Sequence, residues 1–542
     1  MKSRWGILFF FVWSMTLVAG CGNGSEGGSG SGSGSSAAQP NFDTQVVESD
    51  NPQVALYTLT LPKPGEVTVE FRREGHRSLK TWPVASSDQD GAVSILVAGM
   101  LANKTYHLRA HIKYSDGTGA RDTDHIFTTG ALPSGMDPTV DVRTTPGRRP
   151  QPGIEMVDGT GGNAPGLFAI DLKGNVIWTY NFPDQLPGES VQGVKMLPNG
   201  DIVLVVGPSS SSALTHAVAE GTPTAVREIN LAGDIVKEIT IAELNTSLAA
   251  AGYSNLTLQV FHHDVTPLPN GHWLVLANIL QQVTLTGASA PTTVLGDVII
   301  DLDTNLNPVW VWNEFDHLDV NRHPFNFPDW THTNAIVYSP DDGNLIVSMR
   351  HQNWVVKVDY NNGQGQGDVL WHLGSGGDFT LEDSSGNVDN DPADWFYAQH
   401  GPSFFSPNTS GIFSLGLMDN GDDREFSDGS NCAVQGNTLC YSTVPIMQLD
   451  ENAKTAKFQF HQVLSPSLYN VWGGNAEQLD NGHVEYDLCG EQTSPGSSQV
   501  FEVTDKSDPR TVWNMLLTGA NAYRAFRIPS LYPGVQWSGE NF

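Results

Sequence analysis

The sequence predicts an all-β chain, a six-bladed β-propeller preceded by a small N-terminal β-sandwich, and two repeats carry that expectation. One unit, an apolar strand, a turn built on Asp, Asn or Gly and a second strand, recurs six times: FAIDLKGNVIWTY from Phe168, REINLAGDIVKEI from Arg227, IIDLDTNLNPVWVW from Ile299, VKVDYNNGQGQGDVLW from Val356, MQLDENAKTAKFQF from Met447 and FEVTDKSDPRTVWNM from Phe501. The second repeat begins with a histidine: FHHDVTPLPNGHWLVLAN, WTHTNAIVYSPDDGNLIVSMR and QHGPSFFSPNTSGIFSLGLMDNG align with His262, His332 and His400 in register, 70 and 68 residues apart. A period of that length fits one blade of a propeller, and equivalent positions on neighbouring blades converge on the axis.

The elements follow in chain order. Lys2 and Arg4 precede an apolar run from Gly6 to Leu17 and then Val18, Ala19, Gly20 and Cys21. This reads as a lipoprotein signal peptide over 1–20, with acylation at Cys21 and a plain secretory cleavage site as the alternative. Residues 21–40 are a Gly/Ser-rich tether. From 41 to 132, period-two runs such as EVTVEFRR and TYHLRAHIKY predict the sandwich, and LANKTYHLRAHIKYSDGT resembles the later strands of fibronectin type III-like domains. A Pro-, Gly- and Arg-rich linker over 133–152 leads to the repeats, and 153–542 is the propeller and catalytic domain. Inner hairpins turn at Leu197, Leu268, Tyr338, Pro407 and Leu479; the sixth lacks a partner strand, which GIEMVD from Gly153 supplies by pairing with the terminal YRAFRI. Such pairing of the two ends removes open sheet edges.

With 28 basic against 59 acidic side chains, the formal charge of −31 argues against nucleic acid as a partner. Export makes a disulfide between Cys432 and Cys440 credible, leaves Cys489 over, and gives no zinc spacing. The acidic loop Asp419 to Asp428 reads as a solvated turn, with calcium ligation as the alternative.

The chemistry is expected where the three histidine strands begin. The turn at Pro340 to Gly343 folds the next strand back, so Arg350 returns beside His332. Val191 and Gly473 occupy the aligned positions on other strands and would leave open space opposite. Three imidazoles with a fixed cation suit transfer of a tetrahedral anion better than binding of a dication, and no carboxylate shares the register. Neither a metal nor a cofactor is expected. The competing readings are a lipid-anchored propeller that only binds, and a metal-dependent hydrolase. Trp330, Trp371, Trp395, Tyr397 and Tyr523 are candidate rim aromatics.

The motifs HHDVTPLPNG, DWTHTNAIVYSPDDGNLIVSMR, QHGP at 399–402, MDNGDDR at 418–424 and YRAFRIPSLYP resemble the bacterial arylsulfotransferase family over essentially the whole mature chain. The resemblance implies transfer of a sulfuryl group from a phenolic sulfate to a phenolic acceptor, without a nucleotide donor, by a ping-pong route through a sulfohistidine. It implies that His400 is the nucleophile, that His332 and Arg350 hold sulfate oxygens, and that His262, favoured over His263 by register, is the remaining pocket histidine. Some members carry a disulfide shortly before the nucleophile; here the close cysteine pair comes after His400. The expected location is extracytoplasmic, on a bacterial membrane through the lipid anchor, on the periplasmic side. Replacing Cys21 with serine should move the protein from the membrane fraction to the soluble extracytoplasmic fraction, as read by fractionation and immunoblotting.

Overall fold

A computed structural model of the chain describes residues 42–162, 166–180, 189–208, 224–433, 439–490, 496–505 and 508–538. The signal peptide, the tether and Cys21 lie outside the described residues. The chain is all-β. Among the described residues the α-helices are Ile241–Ala250, which opens on a capping box between Thr240 and Glu243, and the single turn Glu314–His317. No described helix is long and apolar enough to cross a membrane.

The first strands form two sheets. One orders Thr44–Glu48, Ala55–Thr60 and Ala92–Val97; the other is built around the pair Gly65–Arg72 and Thr105–Tyr114. Period-two alternation turns Val67, Val69 and Phe71 from one strand, and Tyr106, Leu108, Ala110 and Ile112 from its partner, into a buried layer. That layer is continuous with Trp178, Val191 and Leu204 of later sheets and with Leu531, Tyr532 and Trp537. Two hydrogen bonds fasten the contact: Tyr532 Oη donates to Leu96 O at 2.8 Å, and Trp537 Nε1 to Lys80 O at 3.0 Å.

Six further sheets of four or five strands follow. Their innermost strands are Ala520–Ile528, Glu189–Met196, Leu258–Pro267, Thr333–Ser339, His400–Thr409 and Ala476–Gln478. Neighbouring innermost strands are tied side chain to backbone. His263 N donates to Gln192 Oε1 (2.7 Å), Thr266 Oγ1 to Ile336 O (2.6 Å), Asn334 Nδ2 to Gln399 O (2.8 Å), Ser403 Oγ to Ala476 O (2.6 Å) and Asn475 Nδ2 to Ala525 O (3.0 Å). Farther out, indoles bridge the sheets: Trp178 Nε1 reaches Leu231 O and Trp312 Nε1 reaches Gly367 O, each at 2.8 Å, and Trp513 Nε1 reaches Leu172 O at 3.1 Å. A buried indole thus contributes its apolar area while its one donor is satisfied. In the linker segment, Thr139–Thr144 adds an outer strand against Thr511–Thr518.

The anticipated pairing of the two ends is present. Ile154–Gly162 runs antiparallel to Ala520–Ile528, with Ile154 opposite Ile528. Arg527 on the latter strand is 9% exposed and meets three buried glutamates: Glu155 from the partner strand, Glu485 at 3.0 Å and Glu502 at 3.1 Å from the neighbouring sheet. Burial raises the Glu155 and Glu485 carboxyls, and the guanidinium offsets part of that cost. Arg527→Met would leave the acids facing one another without a cation. Urea unfolding should then report a loss of about 3–5 kcal/mol.

Candidate active site

Each histidine is placed by a break in strand regularity. The ladder of Leu258–Pro267 slips between Phe261 and Val265, and His263 there has φ 57°; His332, just before its strand, has φ 48°. Left-handed backbone at non-glycine residues is uncommon and redirects the side chain. The slip explains a departure from the register expectation. The imidazole that meets His332, at a centroid distance of 4.9 Å, and Tyr523, at 5.6 Å, is His263. His262 stands behind it. Its Nδ1 is 2.6 Å from His263 Nδ1, one ring donating to the other, and its Nε2 lies 3.2 Å from Asp297, off the hydrogen-bonding direction.

His332 Nδ1 is 2.6 Å from Asp329 Oδ2, so the carboxylate accepts and the ring nitrogen carries the proton. Arg350 returns beside it as the hairpin geometry required, its amide donating to His332 O at 3.2 Å. The guanidinium is flanked by Asp422 at 2.6 Å and by His351 Nε2 at 2.6 Å, while His351 Nδ1 donates to Asp329 O at 2.9 Å. Phe325 stacks on His351 with centroids 4.5 Å apart. Burial, with the charges of His332 and Arg350, pushes the His351 imidazole down to about 3 against the opposing pull of Asp329. Burial alone would raise Asp329; the charge and hydrogen bond of His332, with His351 and Arg350, outweigh it and hold the carboxyl low.

His400, 2% exposed, places Nδ1 2.6 Å from Asn420 Oδ1. The amide cannot be turned round, because Asn420 Nδ2 donates to Asn470 O at 2.9 Å and to Gly473 O at 3.1 Å. An acceptor therefore faces the ring, Nδ1 carries the proton, and Nε2 keeps its lone pair. Burial, then Arg350, and then His332 and Arg524 against the Asn420 bond, hold the His400 pKa well below the usual imidazole range. Burial and the charges of His262, His332, His400 and Arg524 do the same for His263.

Several residues enter that sequence reasoning did not name: Asp329, His351, Asn420 and Asp422. No carboxylate is expected in the strand register; Asp329 and Asp422 reach the site from loops outside it. Gly473, expected to leave open space, is also different: at φ 67° a Cβ there would lie 2.6 Å from Cys489 Cβ and 3.3 Å from Tyr523 Cδ2. Its missing side chain makes room for Cys489 first and for the edge of Tyr523 beside it. Of the aromatic candidates, Tyr523 touches the site, 6.0 Å from His400 between centroids. Trp371, Trp395 and Tyr397 lie in a hydrophobic core, and buried Trp330 packs on Phe315.

The acidic loop is a solvated turn only in its second half, where Glu425, Ser427 and Asp428 are exposed; its first half is built into the site. Asp419 and Arg424 form a fully buried ion pair, Asp422 holds Arg350, and Cys432 is bonded to Cys440, with a Cα separation of 5.1 Å. Cys489 is free and buried. Asp329, His332 and His351 could be gathered around a cation, their donor atoms lying within 4.8 Å of one another. Yet both imidazole Nδ1 atoms already carry protons directed at Asp329, and Arg350 adjoins the set. The donors do not fit a dication without exchanging tautomers.

Buried neutral imidazoles, a guanidinium and paired carboxylates define an enzyme site shaped for a transferable oxyanion. The chain belongs to the arylsulfotransferase (ASST) family, whose model matches residues 144–524, a span that includes His263, His332, Arg350, His400 and Tyr523. It is an arylsulfotransferase enzyme, taking a phenolic sulfate donor and a phenolic acceptor, so the binding-only reading falls away. No curated protein sequence matches the chain. Among solved structures it is similar to "NanB plus Optactamide", at 9% identity and a TM-score of 0.34 over 84% of this chain and 87% of that one. It is also similar to the tricorn protease, at 8% identity and a TM-score of 0.25, over 86% of this chain and 48% of that one. Both likenesses are too distant to carry an argument.

A reaction that needs neutral His400 is at full rate above its pKa and is lost as pH falls through it. Because that pKa is depressed, the acid limb should lie below pH 6.5, the usual imidazole value. Asn420→Asp puts a negative charge on Nδ1–H and should move the limb to higher pH in a pH–rate profile.

Proposed function

We propose that the six sheets are the blades of a six-bladed β-propeller, that the two N-terminal sheets form a β-sandwich domain, and that His400 carries the sulfuryl group between donor and acceptor. The observation that carries the mechanism is the Asn420–His400 hydrogen bond, which leaves the Nε2 lone pair on a buried, neutral ring. Nε2 attacks sulfur, the S–N bond forms as the S–O(aryl) bond breaks, and the electron pair leaves on the phenolate oxygen.

His332 supplies the proton that the leaving oxygen takes. Its carboxylate partner suits it to that task, since Asp329 compensates an imidazolium, whereas the neutral amide on His400 does not. Arg350 and His263 face the sulfuryl oxygens: the guanidinium neutralises charge as it redistributes, and the neutral imidazole contributes its dipole. The acceptor phenol then enters the vacated place, returns its proton to His332, and attacks the sulfuryl-histidine. Two half-reactions through one site give ping-pong kinetics, with no nucleotide donor required. We further propose that Cys21 is lipidated and holds the enzyme on the extracytoplasmic face of a bacterial membrane.

Supplying donor alone should yield one equivalent of phenol and a modified peptide containing His400. Initial rates at several fixed acceptor concentrations should give parallel double-reciprocal lines. His400→Asn should lower kcat by at least about 10³-fold. Normal transfer by that variant, or intersecting lines, would refute the covalent route.

A further inference from the structure

Tyr523 lies on the innermost strand Ala520–Ile528 and is 2% exposed. Its ring stands edge-on to His263 and His400 at interplanar angles of 62° and 84°, so it fills the space between the proposed nucleophile and a pocket imidazole. The position is fixed. Gly474 N donates to Tyr523 O at 2.9 Å, the Arg524 guanidinium sits 5.2 Å from the ring centre, and the space left by Gly473 receives the ring edge.

The hydroxyl is the anomaly. Other buried tyrosine hydroxyls are engaged: Tyr57 donates to Asp122, Tyr360 to Asp301, Tyr397 to Pro392 O and Tyr532 to Leu96 O, while Tyr106 accepts from Leu101 N and Tyr486 from Gln462 Nε2. Tyr523 Oη has no hydrogen-bond partner among the described residues. Leaving a buried donor unmade is costly, and such exceptions call for an explanation. Packing alone would be served by phenylalanine. Burial also raises the phenol's pKa, so at neutral pH it is a donor and not a phenolate.

We infer that Tyr523 is a catalytic residue whose hydroxyl donates a hydrogen bond to a sulfuryl oxygen while sulfur moves between the phenolic oxygen and His400. Tyr523 transfers no proton: the bonds that change at sulfur remain S–O and S–N, and the tyrosine stabilises charge on the sulfuryl oxygens together with Arg350 and His263. This rests on the reading above that His400 accepts the sulfuryl group. The role is distinct from acceptor recognition, because it operates in the half-reaction that precedes acceptor binding.

The test is Tyr523→Phe in the full-length enzyme, which removes one oxygen and leaves the ring. The readouts are the first-turnover release of phenol from a chromogenic aryl sulfate with no acceptor present, and the melting temperature. The expected result is a rate lowered about 10²- to 10³-fold with a melting temperature at or above that of the wild type. A first-turnover rate within about twofold of wild type overturns the role, as does a lowered melting temperature, which would mean that the hydroxyl has a structural partner. A wild-type enzyme without a first-turnover burst would instead defeat the His400 reading, and this role with it.

Discussion

The antiparallel pairing of Ile154–Gly162 with Ala520–Ile528 is the constraint on which the rest depends. It joins residues more than 350 positions apart into one sheet, as in Glu155 with Arg527 (|i−j| = 372). The closing strand also carries the groups that serve the centre. Tyr523 reaches the histidines, Arg524 binds Asp264 at 3.2 Å and Asn334 O at 2.5 Å across the innermost strands, and Arg527 neutralises the glutamates at the seam. One strand is therefore at once a closure, a brace and part of the site. Buried ion pairs seldom stabilise a fold more than apolar packing would. Their value here is directional, since a shifted register would strand each guanidinium away from its acids.

The site turns on a competition between burial and charge. Desolvation favours neutral imidazoles, and nearby guanidinium groups push the same way, so His263 and His400 are held uncharged in the site proposed to receive an anion. What separates the histidines is the partner on Nδ1: an amide oxygen for His400, a carboxylate for His332, another imidazole for His263. The same side chain thus takes different parts without any change in the residue itself.

Much of this was legible in the sequence, and for physical reasons. Repeats with period-two alternation gave the all-β class, a hairpin turn at 340–343 placed Arg350 by His332, and an unpartnered terminal strand pointed to GIEMVD. What was not legible came from irregularity. Alignment assumes an unbroken ladder, and the slip after Phe261 exchanged His263 for His262. Asp329, Asn420 and Asp422 sit on loops whose path no periodicity encodes, although DWTHTN and MDNGDD contained them. Gly473 read as space; whether a glycine leaves a void or admits a neighbour depends on what packs against it, which only the fold can say.

The closing strand also sets an order of events. A chain made from its N-terminal side presents His263, His332, Arg350 and His400 well before residues 520–528 exist. Until that last strand docks, the imidazoles face water, lack the field of Arg524, and have no Tyr523 between them. Pairing of the two ends and completion of the site are then a single event, so a partly made or frayed molecule carries the proposed nucleophile, His400, without the dry, cationic surroundings that would make it one.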